Sequence, residues 1–136
     1  MVRAPAASGL IGLLGLEIVK VTAEEVLAEW TVDERHLQPF GVVHGGVYCS
    51  VVETCCSLGA QAADASGTPV VGVDNHTSFV RPVREGRLTA RATPLHVGRR
   101  AQLWECVIQD ASRRLIATGR LRLMSASGST SEREGS

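Results

Sequence analysis

Hydrophobic and polar positions between residues 41 and 64 follow the period of one long helix. Gly45 and Gly46 open this run, which predicts a helix over residues 46–64, roughly five turns long. At 3.6 residues per turn the polar residues fall on one stripe, and the apolar residues cover the rest of the surface. The stripe consists of Gly46, Ser50, Glu53, Ser57 and Gln61. The pattern therefore predicts a helix buried on nearly every side, with its polar groups along one seam.

Strand-like stretches flank the predicted helix, two before it and four after it. They cover residues 14–21, 25–32, 70–80, 86–97, 100–109 and 113–124. The links between the last four are short, which favours antiparallel neighbours in a long, curved sheet. Pro94 cannot donate to a strand ladder, so it predicts an edge strand or a bulge. The fold class is predicted to be α+β, with the sheet wrapping the helix.

The length of 136 residues and a hydrophobic content of 44% predict one domain, over residues 14–124. Residues 1–13 are expected to be a loose N-terminal segment, and the polar residues 125–136 a disordered tail. No apolar run approaches the roughly 20 residues of a membrane span, and the N-terminus lacks a clean signal-peptide pattern. The four cysteines have no metal-ligand spacing. We therefore expect a cytoplasmic protein with reduced thiols, no metal, no cofactor and no membrane association.

Charge is unevenly spread, although the net charge is zero. Residues 81–122 carry ten arginines against three acidic residues. Such an arginine-rich sheet can bind phosphates, and a solvated strand face is the alternative for about half of these side chains. Nucleic acid is not an expected partner, because the few aromatic residues are not interleaved with the arginines.

Glu53 is the one acidic residue between residues 41 and 61, and it lies in the middle of the predicted helix. An ionised carboxylate among apolar residues is costly unless it is paired, reaches solvent or has a chemical role. The turn at residues 44–46 favours the chemical role, since the free N–H groups and dipole of a helix start can stabilise an oxyanion. A polarising helix end and a carboxylate on one element indicate acyl chemistry.

Three stretches together resemble a known family: HGGVYCSVVE, NHTSFVRPVREG and PLHVGRRAQLWE, which begin at His44, Asn75 and Pro94. They are similar to the hotdog-fold acyl-CoA thioesterases, in the PaaI-like branch that contains 4-hydroxybenzoyl-CoA thioesterase with a catalytic glutamate. The resemblance covers about residues 14–124. It implies a hotdog fold, an acyl-CoA substrate with an aromatic (hydroxyaryl) acyl group, and a homodimer or homotetramer.

The resemblance also implies roles for individual residues. Glu53 matches the nucleophile or general base, and Gly45 matches the amide that polarises the thioester carbonyl. Gln38, His44 and Ser57 match supporting polar residues of the catalytic site. For substrate and CoA binding, the matching positions are Gly46, Asn75, Arg81, Arg99 and Arg100. Arg99 and Arg100 stand where one branch has small hydroxyl residues, so their phosphate contacts depart from that pattern.

Helix geometry adds a constraint of its own. Gly46 and Glu53 lie seven residues apart, which is about 10 Å along one helix. A nucleophile or base must come within about 3 Å of its target or act through one water. One helix therefore cannot both polarise and attack a carbonyl, whereas two helices across a twofold axis can. The active site is predicted to be shared between two subunits, with the homodimer as the minimal active unit.

Two other functions fit parts of the sequence. A hotdog hydratase or dehydratase would pair a histidine, His36 or His44, with the carboxylate, but the His-Phe-Pro-Gly-type segment of such dehydratases is absent. A non-catalytic acyl-CoA binder would keep the arginines and could dispense with Glu53. Phe40, Tyr48 and Phe79 are candidates to line an acyl pocket, and core packing is the alternative for these rings.

Overall fold

The computed structural model describes residues 8–126, in which one long helix lies against a curved, six-stranded antiparallel sheet. The helices are α1 (Gly9–Leu14) and α2 (Gly45–Ala63), with a 3-10 turn at Glu34–His36. The strands are β1 (Glu17–Val21), β2 (Val26–Val32), β3 (Val70–Phe79), β4 (Gly86–Val97), β5 (Ala101–Asp110) and β6 (Leu115–Ser125). The α+β class and all six expected strands are confirmed.

The strand order across the sheet is β1-β2-β4-β5-β6-β3. Short links place β4, β5 and β6 side by side, as the sequence predicts. The short link between β3 and β4 also predicts antiparallel neighbours, and this prediction is wrong. Strand β3 pairs with β6, from Val70 opposite Ser125 to Phe79 opposite Ala117. It therefore forms one edge of the sheet, and its valines Val71 and Val73 are about half exposed, at 50% and 49%. A long edge strand with exposed apolar side chains has unpaired backbone groups, and these can pair with a strand of another chain.

Helix α2 packs against the inner face of the sheet through fully buried residues such as Val51, Val52 and Cys55. A Cβ on Gly59 would stand 2.5 Å from Cη2 of Trp104, so glycine is what lets the indole ring lie against the helix. Buried Gln102 joins the same layers, because its Nε2 donates to the Ala60 carbonyl (3.0 Å). Its Oε1 accepts from the Trp104 indole N–H (2.8 Å), so hydrogen bonds connect helix α2 to strand β5 through the Gln102 side chain.

The polar stripe of α2 faces away from the sheet. Gly46, Glu53 and Gln61 are exposed, and Ser50 and Ser57 are partly exposed. The expectation of burial on nearly every side is therefore wrong for one chain, because the stripe is open to solvent from Gly46 to Ser57. At its end the Gln61 side chain accepts from the Val70 N–H of β3 (3.0 Å).

Other features differ from or refine the sequence predictions. Helix α1 occupies part of the segment that was expected to be loose. Pro94 lies just beyond Ala92, where the pairing of β4 with β2 ends, and next to the register shift between Pro94 and His96. The expected bulge is therefore observed, on a part of β4 that β2 leaves open. Of the expected disordered tail, residues 127–136 lie outside the described part of the chain. No helix within residues 8–126 has the length and hydropathy needed to cross a membrane.

Candidate active site

A buried histidine, His36, lies at the end of the 3-10 turn and fixes the segment that leads to helix α2. Its Nδ1 accepts the Asp33 N–H (2.9 Å), and its Nε2 lies 2.7 Å from the Leu14 carbonyl oxygen. Since Nδ1 is an acceptor, the ring is the neutral tautomer that donates from Nε2. The His36 carbonyl in turn accepts the N–H of His44 (2.8 Å), which fixes the residue immediately before α2. His36 is thus committed to structure.

The loop between His36 and α2 forms several hydrogen bonds within itself. The Gln38 N–H donates to Val42 O (2.8 Å), and its side-chain Oε1 accepts from the Phe40 N–H. Arg84 spans the loop from outside, donating to the carbonyls of Phe40 (3.1 Å) and Gly41 (3.4 Å). Sequence reasoning missed this role of Arg84, since the contact joins residues more than 40 positions apart. With its oxygen occupied, the Gln38 amide retains its Nε2 hydrogens as donors.

The first turn of α2 has one capped and one free N–H group. His44 is the N-cap, and its Nδ1 accepts from the Gly46 N–H (2.8 Å). Gly45 is the first residue of the helix and has no intrahelical partner for its N–H. No other acceptor in residues 8–126 bonds to it. Of the two glycines assigned to the polarising turn, Gly45 therefore retains a donor for a ligand, whereas the Gly46 N–H is occupied.

A cavity of about 270 Å³ opens beside this free N–H group. It is lined by Gln38, Val42, Val43, Gly45, Tyr48, Phe79, Val80, Arg81 and Pro82. Most of the lining is apolar, with polar groups at the Gln38, Gly45, Tyr48 and Arg81 positions. A Cβ on Gly45 would stand 2.5 Å from Cζ of Phe79, so glycine allows the phenyl ring to lie directly over the helix start. An apolar cavity with a few polar groups is the usual form of a small-molecule site.

Two aromatic side chains pack together in the cavity wall. The ring centroids of Tyr48 and Phe79 are 6.0 Å apart, and Trp30 lies behind Tyr48 at 6.5 Å. Tyr48 is buried, and burial raises the pKa of its hydroxyl to about 12. The Tyr48 hydroxyl and the Trp30 indole N–H are the two buried side-chain polar groups without a hydrogen-bond partner in the described chain.

Glu53 lies outside the cavity lining, on the exposed stripe of α2. It follows Gly45 by eight residues, which is about 12 Å along the helix axis. Across the described residues it forms no ion pair or hydrogen bond through its carboxylate, so its charge is not committed to a structural contact. Ser57 follows one turn later, partly exposed on the same stripe. Within one chain the carboxylate and the free N–H are therefore separated.

Two further groups of residues were expected to bind the substrate. Arg81 lines the cavity and forms no ion pair in residues 8–126, whereas Arg99 and Arg100 lie in the β4–β5 turn. That turn is at the opposite end of the sheet, roughly 30 Å away for a strand as long as β3. Asn75 does not line the cavity: its Nδ2 donates to Cys49 O (3.0 Å) and its Oδ1 accepts from Thr77 (2.7 Å). These bonds tie β3 to α2, and a substrate contact for Asn75 stays a prediction.

The buried cysteines are not candidates for a catalytic nucleophile or a metal site. All four cysteines are free thiols, and Cys55, Cys56 and Cys106 are buried. Burial raises the pKa of the Cys56 thiol far above its ordinary value, which makes it a poor nucleophile. Within residues 8–126 no cluster of three or more His, Cys, Asp or Glu side chains is arranged to hold a metal ion.

Comparison with known proteins places this geometry in a family. A family model described as the thioesterase superfamily matches residues 40–117, a range that includes Gly45, Glu53 and Phe79. The proofreading thioesterase EntH of Klebsiella pneumoniae is 34% identical over 119 residues, covering 88% of this chain and 87% of that protein.

Solved structures of two bacterial proteins have the same fold as this chain. The structure of a Mycobacterium tuberculosis protein has 43% identity and a TM-score of 0.82, covering 84% of this chain and 93% of that one. The thioesterase HI1161 of Haemophilus influenzae has 40% identity and a TM-score of 0.79, covering 84% and 80% of the two chains. The curved antiparallel sheet around one long helix is thus the hotdog-type fold of these two proteins. The chain belongs to the thioesterase superfamily and is a thioester hydrolase.

Proposed function

We propose that this protein hydrolyses acyl-CoA thioesters with an aromatic, hydroxylated acyl group, giving the free acid and CoA. The observation that carries the proposal is the free N–H of Gly45 beside an apolar cavity that Glu53 of the same chain does not reach. This arrangement supplies half of a thioesterase site. The other half, a carboxylate, stands uncommitted on the exposed stripe of the same helix.

A twofold homodimer would join the two halves. Strand β3 presents an open edge with half-exposed Val71 and Val73, which suits antiparallel pairing with the same strand of a second copy. Such pairing would lay two α2 helices side by side through their polar stripes. Glu53 of the partner subunit then faces the Gly45 turn. The homotetramer is proposed as a pair of these dimers.

In this dimer the chemistry divides between named groups. The Gly45 N–H donates to the thioester carbonyl oxygen and stabilises the negative charge that develops there. Glu53 of the partner subunit attacks the carbonyl carbon, or removes a proton from the water that does so. The carbon–sulfur bond breaks, the CoA thiolate leaves, and water supplies the oxygen of the released acid. Gln38, with Nε2 as its free donor, supports the carbonyl or the attacking water.

Recognition of CoA is assigned to the arginines. Arg81 stands at the cavity and has no carboxylate partner in the described chain, so its guanidinium can bind a phosphate. Antiparallel pairing of two β3 strands would bring the partner's opposite sheet end, with its β4–β5 turn, toward Arg81. Arg99 and Arg100 are therefore proposed as phosphate contacts contributed by the second chain.

An aromatic acyl group is supported by the cavity wall. Tyr48 and Phe79 form a tilted ring pair at a centroid distance of 6.0 Å, a surface on which a third ring can pack. The apolar valines and proline around them disfavour a charged acyl chain.

The test is release of free thiol from a panel of aromatic and aliphatic acyl-CoAs, with the wild type and Glu53→Ala. We expect the wild type to favour aromatic members and Glu53→Ala to lose turnover by about a thousandfold or more, since the carboxylate acts in the transition state. The variant should still bind the CoA ester. Near-normal turnover of Glu53→Ala would show that the carboxylate is structural. Ser57→Ala, one turn away on the same stripe, is the matched control and should lose far less.

A further inference from the structure

One of the residues that line the acyl cavity, Tyr48, carries a buried hydroxyl without a partner. Tyr48 is 2% exposed, and its hydroxyl makes no hydrogen bond in the described residues. Buried polar groups in native structures are nearly always bonded, so an exception requires an explanation. A hydroxyl whose partner is a ligand is one such explanation, because the bond is absent until the ligand arrives.

The position of Tyr48 favours that explanation. Tyr48 lines the same cavity as Gly45 and lies three residues further along α2, about 4.5 Å in rise. Side chains of a helix lean toward its N-terminus, which for Tyr48 is the direction of Gly45. Trp30 carries the other unpartnered buried donor but is not part of the cavity lining. Of the two unpartnered groups, the Tyr48 hydroxyl is therefore the one that belongs to a residue of the cavity lining.

The chemistry of the group is also defined. Because burial raises the pKa of Tyr48 to about 12, the hydroxyl stays neutral over the range in which enzymes usually work. It is then a hydrogen-bond donor and acceptor and not a base. A polar substituent on an otherwise apolar acyl group is the complementary ligand.

We propose that Tyr48 is a specificity-determining residue, whose hydroxyl bonds a hydroxyl substituent on the ring of an aromatic acyl group. This inference rests on the proposed thioesterase function and assigns its acyl selectivity to one atom. A site built to bond a substrate hydroxyl discriminates against the analogue that lacks it, because its own polar group is then left unpaired.

The test compares benzoyl-CoA with 2-, 3- and 4-hydroxybenzoyl-CoA, and includes hexanoyl-CoA as an aliphatic reference. For the wild type we expect kcat/KM to be about 10-fold or more higher for at least one hydroxybenzoyl isomer than for benzoyl-CoA. In Tyr48→Phe the ratio of kcat/KM for the preferred hydroxybenzoyl isomer to kcat/KM for benzoyl-CoA should fall to about one, mainly through loss on the hydroxylated substrate.

Two controls separate recognition from folding. Because the hydroxyl makes no bond within residues 8–126, Tyr48→Phe should have a melting temperature equal to or above that of the wild type. Phe79→Leu alters the neighbouring ring without touching the hydroxyl, so it should lower kcat/KM for all aromatic members and leave the hydroxybenzoyl-to-benzoyl ratio unchanged.

Several results would overturn the inference. These are a wild type without preference for any hydroxylated isomer, a Tyr48→Phe variant that keeps the preference, and equal losses on benzoyl and hydroxybenzoyl substrates. A wild type that cleaves hexanoyl-CoA but no aromatic member would refute the aromatic assignment and this inference with it. Absence of thiol release from every member of the panel would refute the acyl-CoA proposal itself.

Discussion

Mixing two inactive variants tests whether each active site is built from two chains. The first variant, Glu53→Gln, keeps the shape of the side chain and removes the carboxylate. The second, Gly45→Ala, places a Cβ that would stand 2.5 Å from Cζ of Phe79, so the ring must move from its place over the helix start. Glu53→Gln removes the carboxylate from both sites of its homodimer, and Gly45→Ala disturbs the helix start in both sites of its own. Each homodimer is therefore expected to be nearly inactive.

The recovery expected from the mixture follows from counting sites. Subunit exchange at equal concentrations yields about half mixed dimers, by random pairing across a twofold axis. In a mixed dimer, one site combines the intact Gly45 turn of the first chain with the intact Glu53 of the second. The other site holds both defects. Half of the dimers are mixed, and each mixed dimer has one intact site out of two. The mixture should therefore show about a quarter of wild-type activity, provided that the two defects act independently.

The assay is thiol release after subunit exchange, with the fraction of mixed dimers measured by native mass spectrometry. Both variants must first be shown to be folded dimers. Activity should rise in proportion to the mixed fraction and stop at about one quarter of the wild-type value. If mixed dimers form and activity stays at the level of the separate variants, the site lies within one chain. The separation of about 12 Å between Gly45 and Glu53 would then have to close by bending of α2.

Two further predictions concern the arginine at the cavity and the packing of α2. Arg81→Ala should raise KM for CoA esters about 10-fold with little change in kcat, because a remote phosphate contact stabilises the bound substrate and the transition state equally. Hydrolysis of short thioesters without the nucleotide should be unaffected. Equal losses on both substrate types would contradict that role. Gly59→Ala should lower the free energy of unfolding by about 1–3 kcal/mol in urea titrations, because the added Cβ would stand 2.5 Å from the ring of fully buried Trp104. The same substitution in a Trp104→Phe background should cost less, and an equal cost in both backgrounds would show that the indole contact is not the cause.

The local pattern of residues predicts most of the secondary structure. The helix predicted over residues 46–64 is observed at Gly45–Ala63, because its period and its opening glycines are properties of neighbouring residues. The same holds for the six strands and the bulge at Pro94. Helix α1 was missed, since six residues that include two glycines give no periodic signal. The edge position of β3 was also beyond local reasoning, because it depends on pairing with β6 far along the chain.

The candidate site shows the same division. The sequence indicated Gly45 as a polarising amide and Glu53 as the uncommitted acid, and the geometry is compatible with both assignments. Capping of Gly46 by His44 was not anticipated, since it depends on the rotamer of one side chain. The ring of Phe79 over Gly45, and the unpartnered hydroxyl of Tyr48, arise from contacts between elements and have no signature in the order of residues.

The pairing of β3 with β6 also determines when this chain can fold. Strand β3 is synthesised before β4, β5 and β6, yet its neighbour in the sheet is the last of them. Until the ribosome has released residues 115–125, β3 has no strand of its own chain to pair with, and β5 lacks one of its two neighbours. Contacts of such long sequence separation slow folding and leave apolar strands open to aggregation in the meantime. A nascent chain of this protein is therefore expected to complete its sheet late, once the final eleven-residue strand has emerged.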